Sequence, residues 1–315
     1  MSTLPVTTYR NLLDTVGIPS ITDAVVSSQT PELLHLSKLN KLQLLYAQKT
    51  ATETDDLLKQ YEQTLQTIGA VANIFNNEGI NYAVFKTLKP FPSIPSDVDF
   101  LISEKDLTKA ITVLLEQGYS SIAKNLFCIT MQKEMSLDLY THPSVANIPY
   151  LRSDLLMRNK KLTRISGSEV YTLSNEAEFI AVACHSFYKE QMITLNDFIT
   201  LTLLAENADL SVIIQLAHES CVYDALCQIL TVCGSVAKDV SAPLKLSALV
   251  NKVNLSITEV TKMPHKFPFK LVCKTLLRKI MKDEHAKDYF PKAILNGISV
   301  KQAINVMKHL TRDTY

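Results

Sequence analysis

Asp97 and Asp99 carry the clearest chemistry in this chain. They open Asp97-Val98-Asp99-Phe100-Leu101-Ile102, a run whose β-branched, aromatic and aliphatic residues predict a strand. Side chains on a strand alternate, so both carboxylates project from one face. Like charges held so close repel unless a cation lies between them, and hard carboxylate oxygens suit Mg2+. A later run, Met135-Ser136-Leu137-Asp138-Leu139-Tyr140, places Ser136, Asp138 and Tyr140 on one face and Met135, Leu137 and Leu139 on the other. Asp138 is therefore a third candidate ligand. An isolated Asp-x-Asp is more often a solvated turn. Here the third carboxylate and the residues before the pair weigh against that reading. A short strand, Tyr82-Ala83-Val84-Phe85, ends in Lys86-Thr87, and a proline- and lysine-rich connection containing Lys89 leads on to Asp97.

The flanking elements are legible from period and punctuation. Leu58, Tyr61, Leu65, Ile68, Ala72 and Phe75 step by three and four, which predicts a helix over 55–79 stopped by Gly79. Ser103-Glu104-Lys105-Asp106 reads as a capping box opening a helix through Gln117, closed by Gly118. Strand-like runs follow at 127–132 and 135–141. Past Pro149 the pattern turns helical, with helices expected at 176–188, 195–206, 212–218 and 224–232 and basic helices after them. The expected organisation is an N-terminal helical extension (1–54), a small mixed-sheet α+β domain (55–149) and an all-α domain (150–315).

The Asp-x-Asp pair, its distance from the first strand and the later Asp138 resemble the DNA polymerase β-like nucleotidyltransferase superfamily, over Leu57 to His142. The family carries Gly-Gly or Gly-Ser where this chain has Lys86-Thr87. Looser prokaryotic subfamilies have a lysine before the small residue. The resemblance implies a Mg2+-dependent transfer (Mn2+ being the alternative ion) of a nucleoside monophosphate from ATP or another NTP to a hydroxyl. Asp97 and Asp99 would bridge two metals. Asp138 would bind the catalytic metal or act as a general base beside it. Lys86 and Lys89 are candidates for the triphosphate, as compact point charges, and Thr87 for a supporting hydroxyl. A rival of another class is a catalytically inactive nucleotidyltransferase fold serving as a binding or regulatory module.

Composition narrows the field. The chain has 315 residues, a formal charge of +1 and 47% hydrophobic residues, as an ordinary globular protein does. No run of about 18 apolar residues suggests a membrane span, and Met1-Ser2-Thr3-Leu4-Pro5 lacks the pattern of a leader. The six cysteines include no Cys-x-x-Cys pair, which points to free thiols in the cytoplasm. With seven glycines and no Gly-rich phosphate motif, a Rossmann site and a P-loop are both disfavoured.

Four further features have bland readings beside them. His185 is expected to be a core histidine satisfied by a neighbour, His142 a strand-end residue, and Asp197 an exposed helix carboxylate. Lys270, Lys274, Arg278 and Lys282, with Lys266 one step earlier, form a basic helical stripe. Such a stripe is either a solvated face or a contact for an RNA acceptor. A protein hydroxyl or a small molecule could also be the acceptor.

Overall fold

The computed structural model describes residues 8–24, 30–51, 54–255, 257, 259–295 and 313–314. The run Met1–Pro5 and the outermost parts of the expected 1–54 and 150–315 segments lie outside them. Helices α1 (Tyr9–Val16), α2 (Pro31–Leu39), α3 (Gln43–Lys49) and α4 (Asp55–Asn77) lead into strands β1 (Tyr82–Val84) and β2 (Val98–Ile102). Helix α5 (Leu107–Glu116) is followed by β3 (Ser120–Lys124), β4 (Cys128–Gln132) and β5 (Ser136–Tyr140). A small hairpin, β6 (Ser144–Val145) and β7 (Ile148–Pro149), precedes α6 (Ser153–Arg158) and a longer hairpin, β8 (Lys160–Ile165) and β9 (Ser168–Leu173). Then come α7 (Asn175–Cys184), a π-helical turn (His185–Lys189), β10 (Met192–Ile193), α8 (Leu195–Glu206), α9 (Leu210–Glu219), α10 (Tyr223–Ala237) and α11 (Lys245–Lys252). The described chain closes with β11 (His265–Lys266), α12 (Phe269–Lys282) and α13 (Glu284–Leu295), apart from residues 313–314.

Seven strands form one mixed sheet in the order β3-β4-β5-β2-β1-β9-β8. The pairs β2/β5 and β1/β9 are parallel and the others antiparallel. Alternation then sorts the side chains. Val84, Val98, Phe100, Ile102, Leu137 and Leu139 pack with Ile68, Ala72 and Phe75 of α4 and with Leu114 of α5. Ala83, Phe85, Leu101 and Tyr140 belong to the other core, shared with α7, α8 and α10. Asp99 is on this second face, because it alternates with Val98 and Phe100. The acidic face of the sheet is thus turned toward the helical half of the chain. That is why α7 and α8 are apolar nearly all round. All of α8 from Leu195 to Ala205 is buried.

The α+β class and most element positions match the sequence pattern. Three local differences have physical reasons. The Ser103 box does not form: residues Glu104–Asp106 make a 3-10 turn, and Asp106 Oδ2 accepts the Asn81 N–H instead (3.1 Å). Strand β3 is an exposed edge with no buried residue, so no alternation betrays it. Hairpin β8–β9 lies beyond Pro149, and the sheet therefore runs past that expected edge. Its Ser166-Gly167 turn has positive φ at both residues, as a two-residue hairpin requires. Gly69 of α4 lets the helix approach it: a Cβ there would lie 3.0 Å from Ser168 Oγ. Among the described residues no single helix is long and apolar enough to cross a membrane.

Candidate functional site

Parallel pairing of β2 with β5 sets Asp99 directly beside Asp138. Asp97, two residues earlier, enters from the same face. The three carboxylates offer oxygens that all lie within 4.8 Å of one another. Asp99 and Asp138 are each only 8% exposed, and Asp97 is partly buried.

Each carboxylate has its own support. Thr130 Oγ1 donates to Asp138 Oδ1 (2.7 Å), and the Tyr140 hydroxyl donates to Oδ2 (3.1 Å). Lys189 Nζ in turn donates to the Tyr140 hydroxyl (2.6 Å). Ser96 Oγ donates to Asp97 Oδ1 (3.1 Å). Asp99 Oδ1 lies 3.2 Å from the Lys86 ammonium. Burial pushes the Asp99 carboxyl up to about 6; Lys86 pulls it down and Asp97 pushes it up further. Lys189 shows the reverse balance. Burial works against its charge, but Asp99, Glu190 and Asp138 prevail and hold it above the ordinary lysine value.

The Lys86-Thr87 step is a tight turn. Thr87 N–H donates to Phe85 C=O (2.7 Å), and Lys86 has φ +61°, the left-handed region that glycine favours. The backbone at this step thus has a conformation suited to glycine although the residue is lysine. Such strain, of order 1–3 kcal/mol, persists only where the surroundings over-determine it. Here the Lys86 N–H donates to Glu178 Oε1 (2.7 Å), and the Thr87 hydroxyl accepts the Asp99 N–H (2.8 Å). The Lys86 side chain is 5% exposed. Its ammonium also lies over the rings of Phe85 and Tyr140 and 3.3 Å from His185 Nδ1.

His185 is more than a satisfied core histidine. Burial, and then Lys86, hold it well below its ordinary value, so it is neutral. Its Nε2–H donates to Glu190 (3.1 Å), leaving Nδ1 to accept from Lys86. Glu178 is buried in the same wall. Burial pushes it up to about 7 against the pull of Lys89 and Lys86, and its Oε2 has no hydrogen-bond partner among the described residues.

Beside Asp97 opens a cleft lined by Lys41, Lys86, Thr87, Lys89, His185, Asn196 and others. Asp97, Asp99 and Asp138 therefore meet at one place. Lys86, Thr87 and Lys89 line the adjoining cleft, although Lys86 and Thr87 are also engaged internally. Asp197 is not exposed. Only 3% of it is accessible, because Thr194 and Asp197 form a capping box on α8. His142 is buried, with Glu104 on Nε2 (2.6 Å) and Ser153 on Nδ1 (2.7 Å), outside the carboxylate cluster. Lys266 lies in β11 rather than on the basic helix, beside Asp313 (3.7 Å). Sequence reasoning overlooked Lys41, Glu178, Lys189 and Glu190. Glu178, His185, Lys189 and Glu190 had a usable signal: they are polar groups within or just beyond an otherwise apolar helical run, which must be satisfied or functional.

The profile of a family described as uncharacterised nucleotidyltransferase matches residues 34–238, more than half of the chain. Among solved structures, the chain is similar to the antibiotic-resistance factor ANT(2'')-Ia at 12% identity and TM-score 0.38, over 53% of this chain and 96% of that one. It is also similar to an antigenic nucleotidyltransferase-like protein from Paracoccidioides brasiliensis at 14% identity and TM-score 0.39, over 59% of this chain and 95% of that one. No curated protein matches the chain.

Glu178 gives a pH test. Its folded value, about 7, lies above the ordinary 4.5. Its contribution to stability is therefore fully present below about pH 4.5 and is lost as pH rises through about 7. Glu178→Gln keeps an acceptor for the Lys86 N–H and removes the titration. Urea midpoints across this range should fall less steeply with pH in the variant than in the wild type. Parallel curves would show that Glu178 does not titrate there.

Proposed function

The chain belongs to the uncharacterised nucleotidyltransferase family, and we propose that it moves a nucleoside monophosphate from an NTP to a hydroxyl acceptor, using a divalent ion held by Asp97, Asp99 and Asp138. The observation that carries this reading is the convergence of three carboxylates within 4.8 Å on the one sheet face turned toward a lysine-lined cleft. The donor set fits Mg2+ or Mn2+: all ligands are hard oxygens, and two of the three are nearly buried. A divalent ion held there would supply charge stabilisation to the attacking and leaving oxygens of an in-line displacement.

The chain's own residues do the rest. Lys89 meets the triphosphate. Lys86 and Thr87 fix the turn that shapes the phosphate end of the cleft, since both are tied to Asp99. Asp138, oriented by Thr130 and Tyr140, either binds the ion nearest the acceptor or takes the acceptor proton. In the reaction the acceptor oxygen bonds to the α-phosphorus as the α–β bridging P–O bond breaks, and pyrophosphate leaves with the electron pair. One observation favours the non-catalytic module instead. The Lys86 ammonium sits 3.2 Å from Asp99 Oδ1, where an ion would have to compete with it.

RNA is the acceptor we favour. Helix α12 packs against the π-helical turn that carries His185 and Lys189. It buries Val272, Thr275, Lys279 and Ile280 and leaves Lys270, Lys274, Arg278 and Lys282 exposed. Arg278 is partly committed to Asp224 (3.5 Å), so Lys270 and Lys274 are the better probes.

Two measurements follow. Asp97→Asn removes charge from a partly exposed position and should leave the fold intact. Transfer of label from an α-labelled NTP in Mg2+ should fall at least about a hundredfold, the scale of several kcal/mol of lost charge stabilisation. Transfer near the wild-type rate would rule out the carboxylate mechanism. No labelling by the wild type with any NTP and cell extract, alongside Mg2+-dependent NTP binding that Asp97→Asn abolishes, would favour the non-catalytic module. For the acceptor, Lys270→Glu with Lys274→Glu should weaken RNA binding. The slope of log affinity against log salt should shrink by about 0.7–0.9 for each phosphate that the variant no longer neutralises. Binding unchanged by the double reversal would make the stripe a solvated face.

A further inference from the structure

The cleft beside Asp97 has a wall that comes from far away in the sequence. Lys41 lies between α2 and α3, in the N-terminal segment, yet it lines the same cleft as Lys89, Ser93 and Asp97. It is held there by a set of buried bonds. Asn40, fully buried, accepts the Leu195 N–H at the start of α8 (3.0 Å) and donates to Met263 C=O (3.3 Å). Asn196 donates both to Lys41 C=O (2.8 Å) and to Ser93 Oγ (3.0 Å). Lys41 has φ +56°, the left-handed conformation that commonly ends a helix, and the Leu42 N–H closes α2 by donating back to Ser37 C=O (2.8 Å). The end of α2 and the bond from Asn196 thus fix the Lys41 backbone at the rim of the cleft.

Burial works against the Lys41 charge and holds the ammonium below the ordinary lysine value; Asp197, Glu190 and Asp97 favour the charge, and Lys89 disfavours it. Two lysines thus line one cleft together with Asp97. A triphosphate carrying a divalent ion brings both a cation for the carboxylates and anionic phosphate oxygens for the two ammonium groups. We propose that Lys41 is a substrate-binding residue that, together with Lys89, holds the phosphates beyond the α-phosphate of the NTP. This makes the N-terminal segment a working wall of the active site. It rests on the transferase reading above and adds to it the residue that would distinguish a triphosphate from a monophosphate.

Calorimetric titration of the full chain in Mg2+ with the four common nucleoside triphosphates and, separately, their monophosphates tests this. Lys41→Gly tolerates the positive φ and removes the charge. It should weaken triphosphate binding by roughly tenfold or more, the scale of one lost charge-assisted hydrogen bond, and leave monophosphate binding within about twofold. Lys41→Arg should restore much of the triphosphate affinity. If Lys41→Gly fails to fold, Lys41→Asn, which also tolerates this backbone, replaces it. Equal triphosphate affinity in wild type and variant would overturn the assignment while leaving the transferase reading in place. Parallel losses for triphosphate and monophosphate would also overturn it, showing that Lys41 only supports the wall. A wild type that binds no triphosphate would overturn the transferase reading, and this inference with it.

Discussion

The structure turns on a buried charge balance between Lys86 and the carboxylates beside it. Two neighbouring parallel strands place Asp99 and Asp138 side by side in a nearly dry setting. Anions there are expensive unless paired. Lys86 supplies one countercharge at 3.2 Å, and Lys189 supplies another through the Tyr140 hydroxyl. Both lysines sit on irregular backbone. Lys86 arrives through a turn with positive φ, and Lys189 ends a π-helical turn that widens α7 beyond its regular spacing.

Much of the surrounding architecture keeps that cluster in place. Helices α4 and α5 cover one face of the sheet with hydrocarbon, which fixes the register of β2 and β5 because a one-residue slip would bury the aspartates against Phe75 and Leu114. The second face meets α7 and α8. Glu178 and His185 on that side hold the Lys86 backbone and ammonium, respectively. Asn40, Asn196 and Ser93 join the N-terminal segment, α8 and the β1–β2 connection. The cleft is therefore assembled from four separate stretches of sequence, and its shape depends on all of them packing together.

The sequence made the carboxylates legible because strand alternation is a local rule. Asp97 and Asp99 could be placed on one face of their strand, and Asp138 on the polar face of its own, without knowing the sheet order; only the parallel pairing of β2 with β5 brings the two faces together. Helices such as Leu195–Glu206 announced themselves by composition. Hairpin β8–β9 was less visible: its strands alternate weakly, and β9 joins the sheet by parallel pairing with β1, a long-range contact that no local pattern encodes. Asp197 was misread as exposed because its capping partner, Thr194, was overlooked, although Thr-x-x-Asp is a local pattern. Lys41 could not have been found at all from sequence. Its relation to Asp97 is made by long-range bonds through Asn196, and no periodicity encodes those.

The central claim is that Asp97, Asp99 and Asp138 form one divalent-ion site in competition with Lys86. Anomalous diffraction from crystals equilibrated with Mn2+ tests it most directly. The account predicts a Mn2+ peak within bonding distance of oxygens from all three aspartates, with the Lys86 ammonium drawn away from Asp99. Density that leaves Lys86 seated on Asp99, with no Mn2+ among the three carboxylates at any concentration used, would contradict it.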